Sequence, residues 1–129
     1  MKYLLDTHVL IWLGDVTASR VTEPLREIVM NPTSLVFFSP VSIWEVAIKC
    51  GLGRTDFGVD PNELRRQALW SGYLELAING NHAAGVAMLP EIHRDPFDRL
   101  LVSQSIIEDA VLLTHDAMIA KYPGPIQLI

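Results

Sequence analysis

The order of apolar and polar segments predicts an α/β fold: a central parallel sheet with helices on both faces, three layers in the order α/β/α. Three observations predict it. Short apolar runs of strand length alternate with longer helical segments along the whole chain. The run LVFFS at 35–39 is apolar throughout, the mark of a strand buried on both faces. The chain has 129 residues, half of them hydrophobic and only 19% charged, which suffices for one substantial core and argues against disorder. A single domain over residues 1–129 is expected.

The elements follow in order. Tyr3 to Leu5 reads as the first strand and Val9 to Leu13 as a short helix. Thr17 to Met30 reads as a helix with Ser19 or Thr22 as N-cap, ended by Asn31-Pro32. After the 35–39 strand, VSIWEVAIKCG is helical and stops at Gly51, with Val41, Trp44 and Ile48 spaced as one apolar face. GLGRTDFGVD is a glycine-rich loop. Asp60 caps a helix that Pro61 opens and that runs to about Ser71. YLELAI (73–78) is a short strand, and Asn81 caps a helix ending at Pro90. Asp95-Pro96 starts the next helix. AVLLT (110–114) is a strand, HDAMIAKY a short helix and IQLI (126–129) an edge strand.

Composition narrows the function. The net charge of −5 speaks against a broad basic nucleic-acid face but leaves room for a local one. The lone cysteine, Cys50, has no internal disulfide partner and is expected to be a buried thiol, in keeping with a reducing cytosol. No run approaches the roughly 18 uninterrupted apolar residues of a membrane span. Asp6 and His8 break the N-terminal apolar run, and no small-residue cleavage site follows it. A cytoplasmic protein without a membrane partner is expected.

Of the 15 acidic residues most read as solvated, Glu75 and Glu108 among them. Four do not. Asp6 closes the first strand and Asp116 follows the 110–114 strand by two residues, so both lie at the edge where parallel sheets bind ligands. Glu45 falls four residues after Val41 on a core-facing stripe, where a carboxylate is costly unless paired; Lys49, at i+4, is the local partner. Asp98 stands one turn into its helix, where the helix dipole also favours an acid. Asp95 fits a helix N-cap before proline or a ligand, and Asp116 fits a cap or a ligand.

Carboxylates held within about 4–5 Å of one another repel by about 1 kcal/mol per pair in water and more when buried. Their pKa values rise, or a cation holds them together. An all-oxygen set suits Mg²⁺ or Mn²⁺. The four histidines form no HxxxH or HExxH pattern, which disfavours zinc. Acids with a hard cation and bound water point to hydrolysis of a phosphodiester.

The segments LLDTHVLIW, SPVSIWEVAIK, HRDPFDRLLVSQS and LLTHD together resemble, in order and spacing, the PIN-domain ribonucleases, above all the VapC-type toxins of toxin–antitoxin pairs. The likeness runs over essentially the whole chain. It implies a PIN-like fold and a Mg²⁺ or Mn²⁺ site in which Asp6, Glu45, Asp98 and Asp116 match the acids. Asp95 belongs to a DPFD form found in one branch of the family. Thr7 matches the hydroxyl residue after the first acid, set to bond a carboxylate or a metal-bound water, or to cap the following helix. The resemblance also implies a cognate antitoxin, an RNA substrate and a homodimer.

Arg94, Arg99, Lys49 and Arg54 are the cations nearest the acids in sequence, available to phosphates or to neighbouring carboxylates. Trp12, Trp44 and Trp70 are expected in the core or in a dimer contact. Two other readings stay open. One is a non-catalytic metal- or RNA-binding module of the same fold. The other is phosphoryl transfer through an aspartyl phosphate at Asp6, against which stands the sequence Asp6-Thr7-His8 in place of an adjacent acid pair or Asp-x-Asp-x-Thr.

Overall fold

Strands of this chain line up in parallel because each returns to the sheet through a helical connection. The computed structural model describes residues 1–15, 17–53 and 58–129. The strands are β1 (Lys2–Leu5), β2 (Leu35–Phe38), β3 (Leu74–Glu75), β4 (Val111–Thr114) and β5 (Ile126–Leu128). All pair in parallel in the order β3-β2-β1-β4-β5. The helices are α1 (Thr7–Gly14), α2 (Glu23–Met30), α3 (Pro40–Gly51), α4 (Pro61–Trp70), α5 (Gly80–Gly85) and α6 (Pro96–Glu108). Short 3₁₀ turns follow at Val86–Met88 and Ile119–Lys121. No described helix is long and apolar enough to cross a membrane.

Alternation along the central strands splits the core into two layers. Leu5 and Leu113 join Val9, Leu10, Leu25, Phe38 and Val46 on one face. Leu4 and Leu112 join Val41, Leu101, Val102 and Ile119 on the other. Both faces of β1 and β4 are therefore dry, as expected for inner strands of a parallel sheet. Each fully buried Leu of this kind contributes about 1.5–3 kcal/mol. These layers fix the strand ends on which the acids stand.

Helix starts are set by one device used repeatedly. Ser39, Asp60 and Asp95 each accept backbone N–H bonds ahead of a proline at the first helical position of α3, α4 and α6. On the other sheet face, Gly85 lets α5 lie close on α6: an added Cβ would stand 2.6 Å from Ser103 Oγ.

Several expectations are corrected. The helix expected over 17–30 forms only from Glu23, with Thr22 as N-cap, since Pro24 suits a first turn and nothing upstream propagates the helix. The strand in YLELAI keeps two residues, Leu74 and Glu75, at the sheet edge. Asn79, rather than Asn81, caps α5, because it forms a reciprocal capping box with His82. That helix gives way to a 3₁₀ turn before Pro90, and HDAMIAKY forms only a 3₁₀ turn.

The apolar face expected on α3 is displaced. Val41, Ser42, Glu45 and Val46 are buried, while Trp44 is 56% and Ile48 37% exposed. Two flanking layers claim the helix, and the packed stripe lies one position further round. Trp70 is 90% exposed and lies outside the core. Cys50 is only half-buried, its thiol donating to the Val59 carbonyl at 3.1 Å. Glu75 and Glu108 are paired rather than free in water: Glu75 with Arg65 at 2.7 Å, Glu108 with the buried His82 at 2.8 Å.

Candidate metal centre

Asp6 sits where β1 ends and α1 begins, and that junction explains its placement. Its Oδ1 accepts the Val9 N–H at 2.9 Å as the N-cap of α1. Its Oδ2 accepts the Thr114 hydroxyl at 2.5 Å, across from the end of β4. The residue is 4% exposed. Burial pushes its carboxyl up from the ordinary range, and the Thr114 and Val9 bonds pull against that. The cap is thus Asp6, which frees Thr7 for a different task.

Thr7 reaches α3 instead. Its hydroxyl donates to Glu45 Oε1 at 2.7 Å and lies 3.0 Å from Ser42 Oγ. Glu45 is 3% exposed, and its Oε2 accepts from Lys49 Nζ at 2.5 Å. Lys49 also stands 5.8 Å from the Phe97 ring centroid, and Trp44 packs edge-on against that ring at 5.0 Å. These contacts dock α3 on α6 with Glu45 turned toward the acids.

Asp98 lies at the third position of α6. Asp95 caps this helix, its Oδ1 accepting from the Phe97 and Asp98 N–H groups at 2.9 and 3.2 Å. The capping reading of Asp95 is therefore realised. Burial, then the charges of Asp95, Glu45, Asp6 and Asp116, push the Asp98 carboxyl up to about 8. All four of those acids act on this one group, which brings the sequence-selected set to one place. Asp116 is half-exposed; its Oδ1 accepts the Met118 N–H at 2.8 Å, and its own N–H donates to Thr114 Oγ1 at 3.0 Å. Thr114 therefore joins Asp6 to the Asp116 turn.

One functional candidate escapes the sequence reading. His93 Nε2 lies 3.1 Å from Asp98 Oδ2 and 3.8 Å from Asp116 Oδ2. One donor atom from each of His93, Asp98 and Asp116 falls within 4.8 Å of the others. The donor set of carboxylates with an imidazole, crowded enough to hold Asp98 near neutrality without an ion, fits a divalent cation. The signal available in sequence was only that His93 precedes Asp95 by two residues, outside any histidine-pair motif.

The four cations fare differently. Lys49 is spent on Glu45 and Phe97 as described. Arg99 donates to the carbonyls of Pro90, His93 and Val86 and to Tyr122 Oη, at 3.0 to 3.3 Å, bracing the 86–93 segment onto α6. Arg94 is exposed beside His93, in a surface groove with Glu91, Ile92 and Arg99. Arg54 lies outside the described residues.

A family model, the PIN domain, matches residues 3–125. No curated protein matches the chain. Among solved structures, VapBC2 from Rickettsia felis, bound to a DNA fragment from their promoter, is similar over 100% of this chain and 99% of that one, with 14% identity and a TM-score of 0.71. VapBC-1 from nontypeable Haemophilus influenzae is similar over 99% of this chain and 98% of that one, with 19% identity and a TM-score of 0.63. At such identities the likeness is one of fold.

Proposed function

The chain belongs to the PIN domain family, and on that premise we propose that it is a metal-dependent endoribonuclease, the VapC-type toxin of a toxin–antitoxin pair. The observation that carries the proposal is the setting of Asp98, on which four other acids act at once at the ligand-binding edge of the sheet. Asp6, Glu45, Asp98 and Asp116 would hold Mg²⁺ or Mn²⁺, which supplies activation of water and charge stabilisation at the leaving oxygen of a phosphodiester. Thr7 and Thr114 orient Glu45 and Asp6. Asp95 sets the first turn of α6, so its part in the site is to position Asp98. Arg94, with Arg54 and Lys49, is the proposed source of phosphate contacts. Arg99 acts through the 86–93 segment that it braces.

Both structural neighbours are VapBC proteins, which supports an antitoxin as partner here. A protein partner and a second copy would draw on large apolar side chains left in water: Trp44, Leu52, Trp70 and Met88 are 56%, 74%, 90% and 86% exposed. The cytosol, where RNA and antitoxin meet, is the proposed location. The aspartyl-phosphate alternative is disfavoured because both Asp6 oxygens already accept hydrogen bonds in a buried setting.

The test is incubation of the purified, partner-free chain with total RNA in Mg²⁺, Mn²⁺ or EDTA, beside Asp98→Asn checked for folding. Metal-dependent cutting that the variant loses is expected, and the fragment ends identify the substrate. Cutting that survives both EDTA and the substitution refutes the proposal. A folded protein that binds the ions yet cuts no RNA leaves the non-catalytic module in its place.

A further inference from the structure

We infer that His93 is a nitrogen ligand at the outer side of the metal centre, bridging to it through Asp98 and Asp116, and that it biases the site toward transition ions such as Mn²⁺ and Co²⁺ over Mg²⁺. The inference rests on the metal-dependent reading above and deepens it.

Three features carry it. The first is convergence: one ring nitrogen faces carboxylate oxygens from two separate elements, α6 and the turn after β4, at 3.1 and 3.8 Å. Among the described residues, this trio is the group of His, Cys, Asp or Glu side chains whose donor atoms come together closely enough to share an ion. The second is the state of the surrounding acids. Both carboxylate oxygens of Asp6 and of Glu45 already accept protein hydrogen bonds. Asp98 has only the His93 ring against its Oδ2, so its remaining lone pairs point to something the chain does not supply.

The third is preorganisation. The His93 N–H donates to Tyr122 Oη at 2.8 Å, and the Tyr122 hydroxyl donates back to the His93 carbonyl at 3.0 Å. Tyr122 is 4% exposed and belongs to the core, and Arg99 adds a bond to the same carbonyl at 3.3 Å. The backbone of His93 is thus pinned from the core side while the imidazole projects toward the acids. A surface histidine drawn in only by a carboxylate's charge would not need this clamp.

The chemical consequence follows from ligand type. Mg²⁺ favours oxygen ligands and retained water, and gains little from an imidazole. Transition ions gain from nitrogen along the Irving–Williams order, so Co²⁺ gains more than Mn²⁺.

The full chain is titrated calorimetrically with Mg²⁺, Mn²⁺ and Co²⁺, wild type beside His93→Ala. Pulsed electron paramagnetic resonance of the Mn²⁺-loaded wild type reads nitrogen coupling directly, so the result does not hang on the variant alone. His93→Ala is expected to lower Co²⁺ affinity about tenfold or more, since even groups one shell removed cost about that much, and Mg²⁺ affinity by less than about twofold. Nitrogen coupling is expected in the wild type and lost in the variant. Co²⁺ affinity unchanged by the substitution, or no nitrogen coupling in the wild type, overturns the role of His93 and leaves the nuclease reading standing. Failure of the wild type to bind any of the three ions removes both.

Discussion

Asp6 and Asp98 are two carboxylates withdrawn from water at one edge of the same sheet, yet they are kept there by different means. Asp6 is met by a backbone N–H and a buried hydroxyl, one on each oxygen. Glu45 is met in the same way, by Thr7 and Lys49. Asp98 is met by four neighbouring negative charges and one histidine. The inner pair is compensated by donors built into the fold, whereas Asp98 is compensated only by a proton or a cation from outside. This difference separates residues that hold the scaffold from the residue that waits for the ion, although sequence presents all of them as acids at element ends.

The sharpest way to break the comparison is to neutralise one member of each class. Asp98→Asn removes a charge that four acids oppose and leaves the shape of α6 intact. RNA cleavage should fall about a hundredfold or more, while the melting temperature of the ion-free protein rises or holds. Asp6→Asn should abolish cleavage as well, but it puts an amide donor where Val9 and Thr114 both donate. Its melting temperature should fall. Calorimetric scans in EDTA beside the cleavage assay check the pair, and equal shifts in the two variants would erase the distinction.

Thr114→Val probes the built-in donors next. Thr114 is fully buried, donates to Asp6 and accepts from the Asp116 N–H. Removing one hydroxyl strands a buried carboxylate oxygen and a backbone donor, a cost of about 2–3 kcal/mol with almost no change in volume. Denaturant melts in EDTA measure it. A loss near zero would mean that the Asp6 carboxylate is already neutralised by some other route.

The pH dependence carries the opposite sign from that of a salt-bridged acid. The Asp98 carboxyl, faced by Asp95, Glu45, Asp6, Asp116 and His93, is raised from 3.8 to about 8. Between those values the folded state holds a proton that the unfolded state has lost, so ion-free stability declines as pH rises through this window. Between pH 6 and pH 8 the contribution of this one group is about 2 kcal/mol. Saturating Mn²⁺ should flatten the slope, as should Asp98→Asn. A stability that rises over that window in EDTA would contradict the raised value.

Much of this arrangement was legible in the residues, and the illegible part has a pattern. The acids could be read because each interrupts an apolar run or opens a helix, where charge has to be explained. The strand order and helical layers followed from alternation alone. What could not be read depended on how elements pack. The buried stripe of α3 shifted off Trp44 because two layers flank that helix, and one sequence period does not tell which neighbour prevails. YLELAI lost most of its strand because an edge position offers one pairing partner instead of two. His93 lay hidden because its role comes from Tyr122, 29 residues on, which pins its backbone beside Asp98. Arg99 looked like a phosphate contact by position, and only the carbonyls that converge on it disclose a brace.

The smallest expected effect tests whether donors are individually decisive on the inner side of the site. Thr7→Val takes one of two donors from Glu45 and leaves Lys49 on the other oxygen. The ion pair is nearly dry, with Lys49 17% and Glu45 3% exposed, so it persists and still draws Glu45 toward the end of α3. The cost should be about 1 kcal/mol, below that of Thr114→Val, because only one bond is lost and its acceptor keeps a charged partner. Cleavage should decline without vanishing, since Glu45 remains present but is held at one oxygen instead of two. A loss as deep as that of Asp98→Asn would instead make the Thr7 hydroxyl part of the chemistry, and steady-state rates in Mn²⁺ for the two variants decide between a positioning and a direct role.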